Sequence, residues 1–442
     1  MLSYAKALNN YVHTGKEKGW DAAGKEPKML QIKKSLEPFL AALNAVNQPG
    51  VSSEERASFR ADWPPAHAPL ISHLQQNGQS IDTLFILDDG SILARIGSWY
   101  EDGHVVHIQG DSVVRVDGVE YIGRCPARRY FAVAQASGVQ VTDGWQGPVV
   151  ALCPWPSGLE GLPAAAESPP LRELTFSLPA RPTQLQPFPD GQRVLLVCSV
   201  GIFVLAAEGA TRLLPRPEEL AEKLMAEKLL DDGLDADDFS FGLSMEHGAV
   251  SPDGLWVAAG CQDGLHRVFN AALDNVGTIG PASEYPHFAL FNSRSDHAIF
   301  NACHFYNGAT LGVAVADWSA MKTDYYAEDP RAPTLQQGAR VYCAAHRQTA
   351  DGGQYIIGDA HGYLRAFSEI GEDCWQQFIG STVGAIDISA DGQTLVAATS
   401  AGFIAIIDLK AAEPEAWQIG VGAHREVRRW VFWKEQAEPL RW

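Results

Sequence analysis

A short corner motif recurs along this chain and constrains its fold more than any other feature. The stretch EHGAVSPDGLWVAAGCQDGLHRVFNA, from Glu246 to Ala271, carries two Asp-Gly pairs between short apolar runs. Asp-Gly in this context is a strong hairpin signal, because a tight turn needs a residue at positive φ, which Gly adopts without steric cost. The pairs Asp253-Gly254 and Asp263-Gly264 therefore predict three successive antiparallel strands. One such meander leaves an open edge and cannot bury both faces, so it requires further copies.

The copies are present along most of the chain. They read FILDDGSILARIGSW from Phe85, PFPDGQRVLLVCSVGIFVLAAEG from Pro187, QTADGGQYIIGDAHGYLRAFS from Gln348 and ISADGQTLVAATSAGFIAIIDL from Ile388. Two weaker copies, beginning at Gly123 and Leu290, lack the first Gly. The first corners fall near residues 89, 128, 190, 253, 296, 351 and 391, with gaps of 39, 62, 63, 43, 55 and 40. A period of about 40 with loop insertions is typical of propeller blades and predicts an all-β, seven-bladed β-propeller.

The same residues resemble the WD40-like β-propeller family. The resemblance rests on SPDG, VAAGCQDG and HRVFN within Glu246–Ala271, and it covers roughly residues 80–442. Phe269-Asn270 and Ile407-Asp408 stand where the family has a Trp-Asp dipeptide, and His247 lies near the position of the family's Gly-His. The resemblance implies a degenerate propeller, held together by packing rather than by the family's His-to-Asp hydrogen-bond network.

Charge and cysteine content bound the partners and the compartment. Lys and Arg total 34 against 53 Asp and Glu, a net charge of −19, which disfavours nucleic acid and anionic membranes and favours a basic protein partner. The seven cysteines form no CxxC pair, and several lie in apolar strand runs, which predicts buried, reduced thiols. The first 20 residues contain no signal-peptide pattern, and no apolar run approaches the roughly 18 residues of a membrane span. We therefore expect a cytoplasmic protein.

Residues 1–76 are predicted to form an N-terminal helical extension, ahead of a propeller over 77–442. Apolar residues recur at helical spacing from Met29 to Val46 and form one stripe, which either packs on its own domain or forms a dimer seam. Ser52 and Glu55 form a candidate capping box. The tail from Arg428 to Trp442 is predicted to pair with a strand of the first or last blade. Its aromatic residues would then pack between blades or against the helices; the alternative is a ligand-stacking platform. They are Trp430, Phe432, Trp433 and Trp442.

An acidic, partly helical insertion interrupts the propeller at about 215–245. Between Glu208 and Asp238 ten acidic residues face four basic ones, which leaves −6. Because connections between blades lie at the surface, the insertion is a candidate docking site for a basic partner. The alternative is a solvated loop that only aids solubility, and the spacing does not fit an EF-hand. The candidate partner-binding residues are Glu227, Asp231, Asp232, Asp235, Asp237 and Asp238.

No motif for catalysis, cofactor binding or metal binding emerges from the sequence. Nucleophile-elbow, phosphate-loop and dinucleotide-binding patterns are absent from suitable contexts. His104 and His107 lie three apart on a predicted strand and point to opposite faces, and His297 and His304 have no evident carboxylate partner. Asp387 is the one candidate carboxylate on the innermost strands considered. We therefore expect no catalytic residues, no metal and no cofactor.

These observations favour a non-catalytic, protein-binding propeller. A more specific hypothesis is a bacterial immunity or antitoxin-like protein that masks a basic toxin. The alternative is a propeller enzyme, such as a lactonase-like hydrolase or a quinoprotein dehydrogenase, whose polar residues would gather at the central channel from several blades. The sequence leaves the oligomeric state and the identity of the partner open.

Overall fold

A computed structural model describes residues 2–28, 36–65, 77–161, 176, 181–222, 242–322, 328–410, 413–420 and 424–442. Within these ranges four helices precede seven antiparallel sheets, six of four strands and one of five. In every sheet the strands lie in the order of the chain. The protein is a seven-bladed β-propeller, which confirms the prediction from the spacing of the corners.

The helices and strands have the following bounds. The helices are α1 Leu2–Lys18, α2 Trp20–Ala23, α3 Leu36–Val46 and α4 Ser53–Asp62. Blade 1 consists of β1 Thr83–Ile86, β2 Ile92–Ile96, β3 His104–Gln109 and β4 Ser112–Arg115. Blade 2 consists of β5 Ile122–Arg124, β6 Tyr130–Gln135, β7 Gly138–Asp143 and β8 Val149–Pro154. Blade 3 consists of β9 Gln184–Pro187, β10 Val194–Cys198, β11 Gly201–Ala206 and β12 Gly209–Leu214. Blades 4 and 5 consist of β13 His247–Val250, β14 Val257–Gly260, β15 His266–Phe269 and β16 Asn275–Ile279; and β17 Tyr285–Phe291, β18 His297–His304, β19 Asn307–Ala314 and β20 Thr334–Gln337, with a 3-10 helix at Val315–Ala320. Blades 6 and 7 consist of β21 Val341–Thr349, β22 Gly352–Asp359, β23 Tyr363–Ser368 and β24 Asp373–Phe378; and β25 Val383–Ile388, β26 Thr394–Thr399, β27 Phe403–Asp408, β28 Arg425–Val431 and β29 Leu440–Arg441.

The blades belong to two compact units. Unit 1 comprises residues 1–116 and 341–442, and unit 2 comprises residues 117–340. Inside unit 1 the first strand of each blade contacts that of the next, β21 with β25 and β25 with β1; inside unit 2 the same holds for β5, β9, β13 and β17. The first strand of each blade is therefore its innermost strand.

The predicted corners connect the first and second strands. Gly90, Gly191, Gly254 and Gly392 occupy these turns with φ of 80°, 68°, 72° and 70°. In the two blades without the Gly, Arg128 (φ 69°) and Ser295 (φ 62°) take the same left-handed conformation. The turn geometry is therefore retained even where the residue that favours it is missing.

The second corner of the opening stretch differs from its prediction. Asp263-Gly264 does connect β14 to β15, but Gly264 has no left-handed φ. Its N–H donates to the carbonyl of Cys261 at 3.2 Å. This longer connection closes without a residue at positive φ, so the prediction was right about the strands and wrong about the conformation.

Helices α3 and α4 pack against the last blade. Phe39 and Leu43 of α3 are fully buried in a cluster with Val431, Trp433 and Trp442. Both stripe residues thus pack on their own domain, whereas Met29 and Ile32 lie outside the described residues. The Ser52–Glu55 capping box at the start of α4 is confirmed, with both reciprocal hydrogen bonds present.

The aromatic tail forms the outer part of blade 7, as predicted. Strand β28 pairs with β27, and β29 pairs with β28. Gln79 N–H donates to Phe432 O and Lys434 N–H donates to Asn77 O, so the segment ahead of β1 joins the tail in one blade. The four aromatic side chains of the tail are 3–5% exposed, which disfavours a ligand-stacking platform.

Candidate functional site

The six acidic residues singled out in the insertion, Glu227, Asp231, Asp232, Asp235, Asp237 and Asp238, lie outside the described residues. The two ends of the insertion are described. Leu243 N–H donates to Ser199 O at 2.6 Å, and Gln262 N–H donates to Ser244 O at 2.8 Å. Ser199 lies in the turn β10–β11 and Gln262 in the turn β14–β15, and each turn joins the second and third strands of its blade. The insertion therefore returns to the propeller at the turns β10–β11 and β14–β15.

These turns lie at one end of blades 3, 4 and 5. The innermost strands β9 and β13 run side by side in the same direction. At their starts, the Thr183 hydroxyl donates to the Glu246 carboxylate at 2.5 Å. At their other ends Gln186 Oε1 accepts from Val250 N–H at 2.8 Å. Between blades 4 and 5, Asp253 N–H donates to Ser295 Oγ at 3.0 Å. We call the end that carries the turns β10–β11, β14–β15 and β18–β19 the hairpin face.

Two adjacent aromatic residues project from the hairpin face at the β18–β19 turn. Phe305 is 72% exposed and Tyr306 is 61% exposed. The turn is held by a main-chain hydrogen bond, in which Arg340 N–H donates to Tyr306 O at 3.0 Å. His304 is hydrogen-bonded to the carboxylate of Glu284, and its ring lies 4.6 Å from that of Phe305. A rigid base thus presents two large rings to solvent.

Phe305 also has an unfavourable backbone conformation. Its φ is 52°, in the left-handed region that a bulky side chain rarely adopts. Such a conformation costs about 1–3 kcal/mol and is concentrated at functional sites. Because the ring is exposed, burial in this chain does not repay that cost. The combination of strain and exposure singles out this turn as a candidate contact surface.

A buried histidine pair lies beneath the same face. His247 Nδ1–H donates to Met245 O at 2.9 Å, so Nε2 is left to accept from His266 Nδ1–H at 3.0 Å. Burial lowers the pKa of His247 to about 4 and that of His266 well below its usual value. Both imidazoles are therefore neutral at pH 7, and the pair links β13 to β15. In this blade His247 contacts a second histidine.

Asp387, the carboxylate candidate on the innermost strands, binds the neighbouring blade. Its Oδ2 accepts from Ile86 N–H at 2.7 Å, joining β25 to β1. Gln186 makes the equivalent bond from β9 to β13, and both residues stand four positions before the Asp of their corner. This shared geometry gives Asp387 a structural role between two blades.

The other histidine expectations have mixed outcomes. His107 Nε2 is 2.8 Å from Ser91 Oγ, and His104 is half-buried at the start of the same strand. The expectation for His304 was wrong, because it contacts Glu284, which lies 20 residues earlier in the chain.

Several buried carboxylates were missed, among them Glu246, Asp359 and Glu426. Glu246, immediately before β13, accepts from Thr183 Oγ, and burial raises its pKa. A charged residue directly preceding an innermost strand was the available signal for Glu246.

The thiols follow their prediction in most positions. All seven cysteines are free, and five are buried, while Cys261 is half-buried and Cys374 is exposed. Burial raises the pKa of Cys198 to about 12 and that of Cys153 to about 11, so both are protonated at neutral pH.

Among the described residues no group of three or more His, Cys, Asp or Glu could hold a metal ion. No helix in the described part of the chain is long and apolar enough to cross a membrane.

The sheets and their order define the class of this protein as a seven-bladed β-propeller. A solved structure similar to it is the β-propeller domain of Cps50 (Swd1) from Myceliophteria thermophila, with 13% sequence identity and a TM-score of 0.46. The match covers 78% of this chain and 97% of that one. The chain matches no protein-family model and no curated protein. Membership of the WD40-like family stays a prediction.

Proposed function

We propose that this propeller is a non-catalytic protein-binding module whose partner docks on the hairpin face of blades 3, 4 and 5. The observation that carries the proposal is the exposed, strained Phe305–Tyr306 turn on a rigid base. Aromatic side chains dominate the energetics of protein interfaces, where they fill pockets of the partner. A partner that buries the Phe305 ring would offset the cost of its backbone conformation.

Charge supports a basic partner. The net charge is −19, and the acidic insertion returns to the propeller at the same face as the aromatic turn. The negative charge of the protein would attract a basic partner from a distance, and the aromatic anchor would then bind it by contact. A more specific form of the proposal is an immunity or antitoxin-like role, in which the basic partner is a toxin. Restoration of that partner's toxicity by the variants described next would support this role.

Replacing Phe305 with Asn should weaken partner binding without weakening the fold. Asn tolerates left-handed φ, so the free energy of unfolding should be unchanged or higher by about 1 kcal/mol. Loss of an aromatic anchor should reduce affinity by about 2 kcal/mol, roughly thirtyfold. Affinity capture from the native host with wild type and Phe305→Asn, followed by titration of the differentially captured protein, measures both.

Ile370→Asn is the matched control, since Ile370 is 76% exposed and belongs to unit 1. A true partner is retained by Ile370→Asn and lost by Phe305→Asn. Equal retention by both variants would contradict the proposed docking site.

Neutralising the acidic insertion should slow association. The variant changes Asp231, Asp232, Asp235, Asp237 and Asp238 together to Asn. We expect a lower association rate and little change in dissociation, because charge complementarity acts mainly on the encounter of two proteins. The wild-type rate should fall as salt is raised, since screening becomes effective beyond about 10 Å at 0.1 M. Stopped-flow mixing at low salt checks this, and an unchanged rate for the variant would remove the insertion from the docking surface.

A further inference from the structure

A separate pocket of about 430 Å³ lies in unit 1, and none of its lining residues belongs to the hairpin face. It opens between helix α1, the segment that follows α2, and blade 6. The side chains that matter for its chemistry are Tyr4, Leu8, Glu26, Lys28, Tyr363 and Phe378. Three of them are aromatic and one is an acid.

The aromatic walls are held in place before any ligand binds. Tyr363 of β23 and Phe378 of β24 are direct cross-strand partners, with ring centroids 5.1 Å apart. Tyr4 and Leu8 lie one helical turn apart on α1, and both pack with Phe378 in one buried cluster. A preformed pocket loses little conformational entropy on binding.

Helix α1 is anchored beside the pocket by polar bonds. Asn9 Nδ2 donates to Gln418 O at 2.7 Å, and Asn9 Oδ1 accepts from Gly420 N–H at 2.6 Å. Lys16 forms an ion pair with Asp373 at 2.8 Å. The wall contributed by α1 is therefore fixed to blades 6 and 7.

The rim carries two exposed charges, Glu26 and Lys28, and neither forms an ion pair or hydrogen bond with another described residue. Burial raises the pKa of Tyr4, and the Glu26 carboxylate raises it further. Burial also raises the pKa of Tyr363 to about 12, with a smaller contribution from Glu26. The Glu26 carboxylate thus acts on both phenol groups, while the Arg365 guanidinium, 5.0 Å from the centre of the Tyr363 ring, acts on the pKa of Tyr363 in the opposite direction.

We infer that this pocket binds a basic side chain, lysine or arginine, of a protein partner. The aliphatic stem would lie against Leu8 and Phe378, as long basic side chains commonly cover apolar surface. The cationic head would lie over the face of Tyr4, which attracts cations, and beside the Glu26 carboxylate, since Arg365 already lies 5.0 Å from the centre of the Tyr363 ring. The net charge of −19 favours the approach of a basic segment. The inference rests on the proposed function in one respect only, that the basic side chain belongs to a protein partner.

Blocked amino acids test the pocket without the unidentified partner. The probes are the Nα-acetyl amides of lysine, arginine, norleucine and glutamate, and saturation-transfer NMR measures their dissociation constants. We expect the two cationic probes to bind, and the norleucine and glutamate probes to bind at least about tenfold more weakly.

Two isosteric variants at the rim separate the signs of charge. Glu26→Gln should weaken the lysine probe by about tenfold, and Lys28→Gln should tighten it by about threefold. Both residues are exposed, so neither change should unfold the protein. Absence of saturable binding by either cationic probe, preference for norleucine or glutamate, or an unaltered affinity in Glu26→Gln would each overturn the inference.

Phe305→Asn distinguishes this inference from the proposed function. It lies in unit 2 and should bind the lysine probe like wild type. If the pocket fails these tests while Phe305→Asn still loses its partner, the docking site stands and the pocket does not. If the lysine probe binds as expected and Phe305→Asn keeps every captured protein, the pocket stands and the docking site does not.

Discussion

Glu426→Ala is expected to lower the free energy of unfolding by about 3–5 kcal/mol. The Glu426 carboxylate is fully buried between two guanidinium groups. Arg429 donates to it at 2.8 and 2.7 Å, and Arg60 of α4 donates at 3.0 Å. Removing the carboxylate leaves the buried cation Arg429 without its partner, which is the costly way to break a buried ion pair.

The same cluster joins the helical extension to the end of the chain. Arg60 also donates to Trp442 O at 2.7 Å, and Arg429 lies 5.2 Å from the centre of the Phe403 ring. Loss of the Glu426 carboxylate should therefore weaken the contact between α4 and the tail, although Arg60 still donates to Trp442 O and to the main-chain carbonyl of Glu426. Urea unfolding monitored by circular dichroism measures the total loss.

Two milder variants serve as controls. Glu426→Gln keeps an acceptor for Arg429 and should cost less than Glu426→Ala. Arg60→Met keeps the apolar stem and leaves the Glu426–Arg429 pair intact, so it should also cost less. A value for Glu426→Ala within about 1 kcal/mol of wild type would contradict the assigned role, since breaking a buried pair costs more than that.

The contribution of Glu426 should depend on pH in a defined direction. Burial opposes its ionisation, but the charges of Arg429 and Arg60 outweigh burial and lower its pKa below the usual 4.5. A carboxyl group with a lowered pKa in the folded state stabilises the fold above its unfolded pKa. The difference between wild type and Glu426→Gln should therefore persist at neutral pH and shrink as the pH falls below about 4.5.

Burial in this part of β28 does not follow the apolar or charged character of the side chains. In REVRRWVFW the apolar Val427 is 51% exposed and the charged Glu426 is buried. The reason is a bulge, because Ile407 pairs with Glu426 and Ile406 with Arg428, which leaves Val427 as the extra residue. The compensating cation Arg60 lies 366 residues away, beyond any local pattern.

The parts of the fold that the sequence predicted depend on local turn chemistry. The Asp of a corner binds the amides of its own turn, as Asp253 Oδ1 does with Leu255 N–H at 3.0 Å, so the motif is readable within six residues. The Phe305–Tyr306 turn has no such chemistry, and its exposure follows only from the register of β18 and β19. The pocket between α1 and blade 6 combines Tyr4 and Leu8 with β23 and β24, at least 355 residues apart, so periodicity could not reveal it.

Deleting Arg428–Trp442 is expected to abolish the folded monomer. The deletion removes four buried aromatic side chains and most of β28, whose backbone covers the edge of β27. Loss of one buried aromatic ring costs about 3–5 kcal/mol, so four losses cost about 12–20 kcal/mol, whereas a domain is stable by only about 5–15 kcal/mol.

The outcome should be aggregation rather than simple unfolding, because the uncovered β27 is a long apolar edge that can pair with another chain. Helices α3 and α4 would lose Val431, Trp433 and Trp442, against which they pack, and would expose Phe39 and Leu43 as well. Size-exclusion chromatography with light scattering, together with a melting curve, measures the result. Val427→Ser, on the exposed side of the same strand, should remain monomeric with a melting midpoint near wild type. A truncated protein that stays monomeric and melts like wild type would show that closure of blade 7 does not depend on the tail, which would return its aromatic residues to the role of a binding surface.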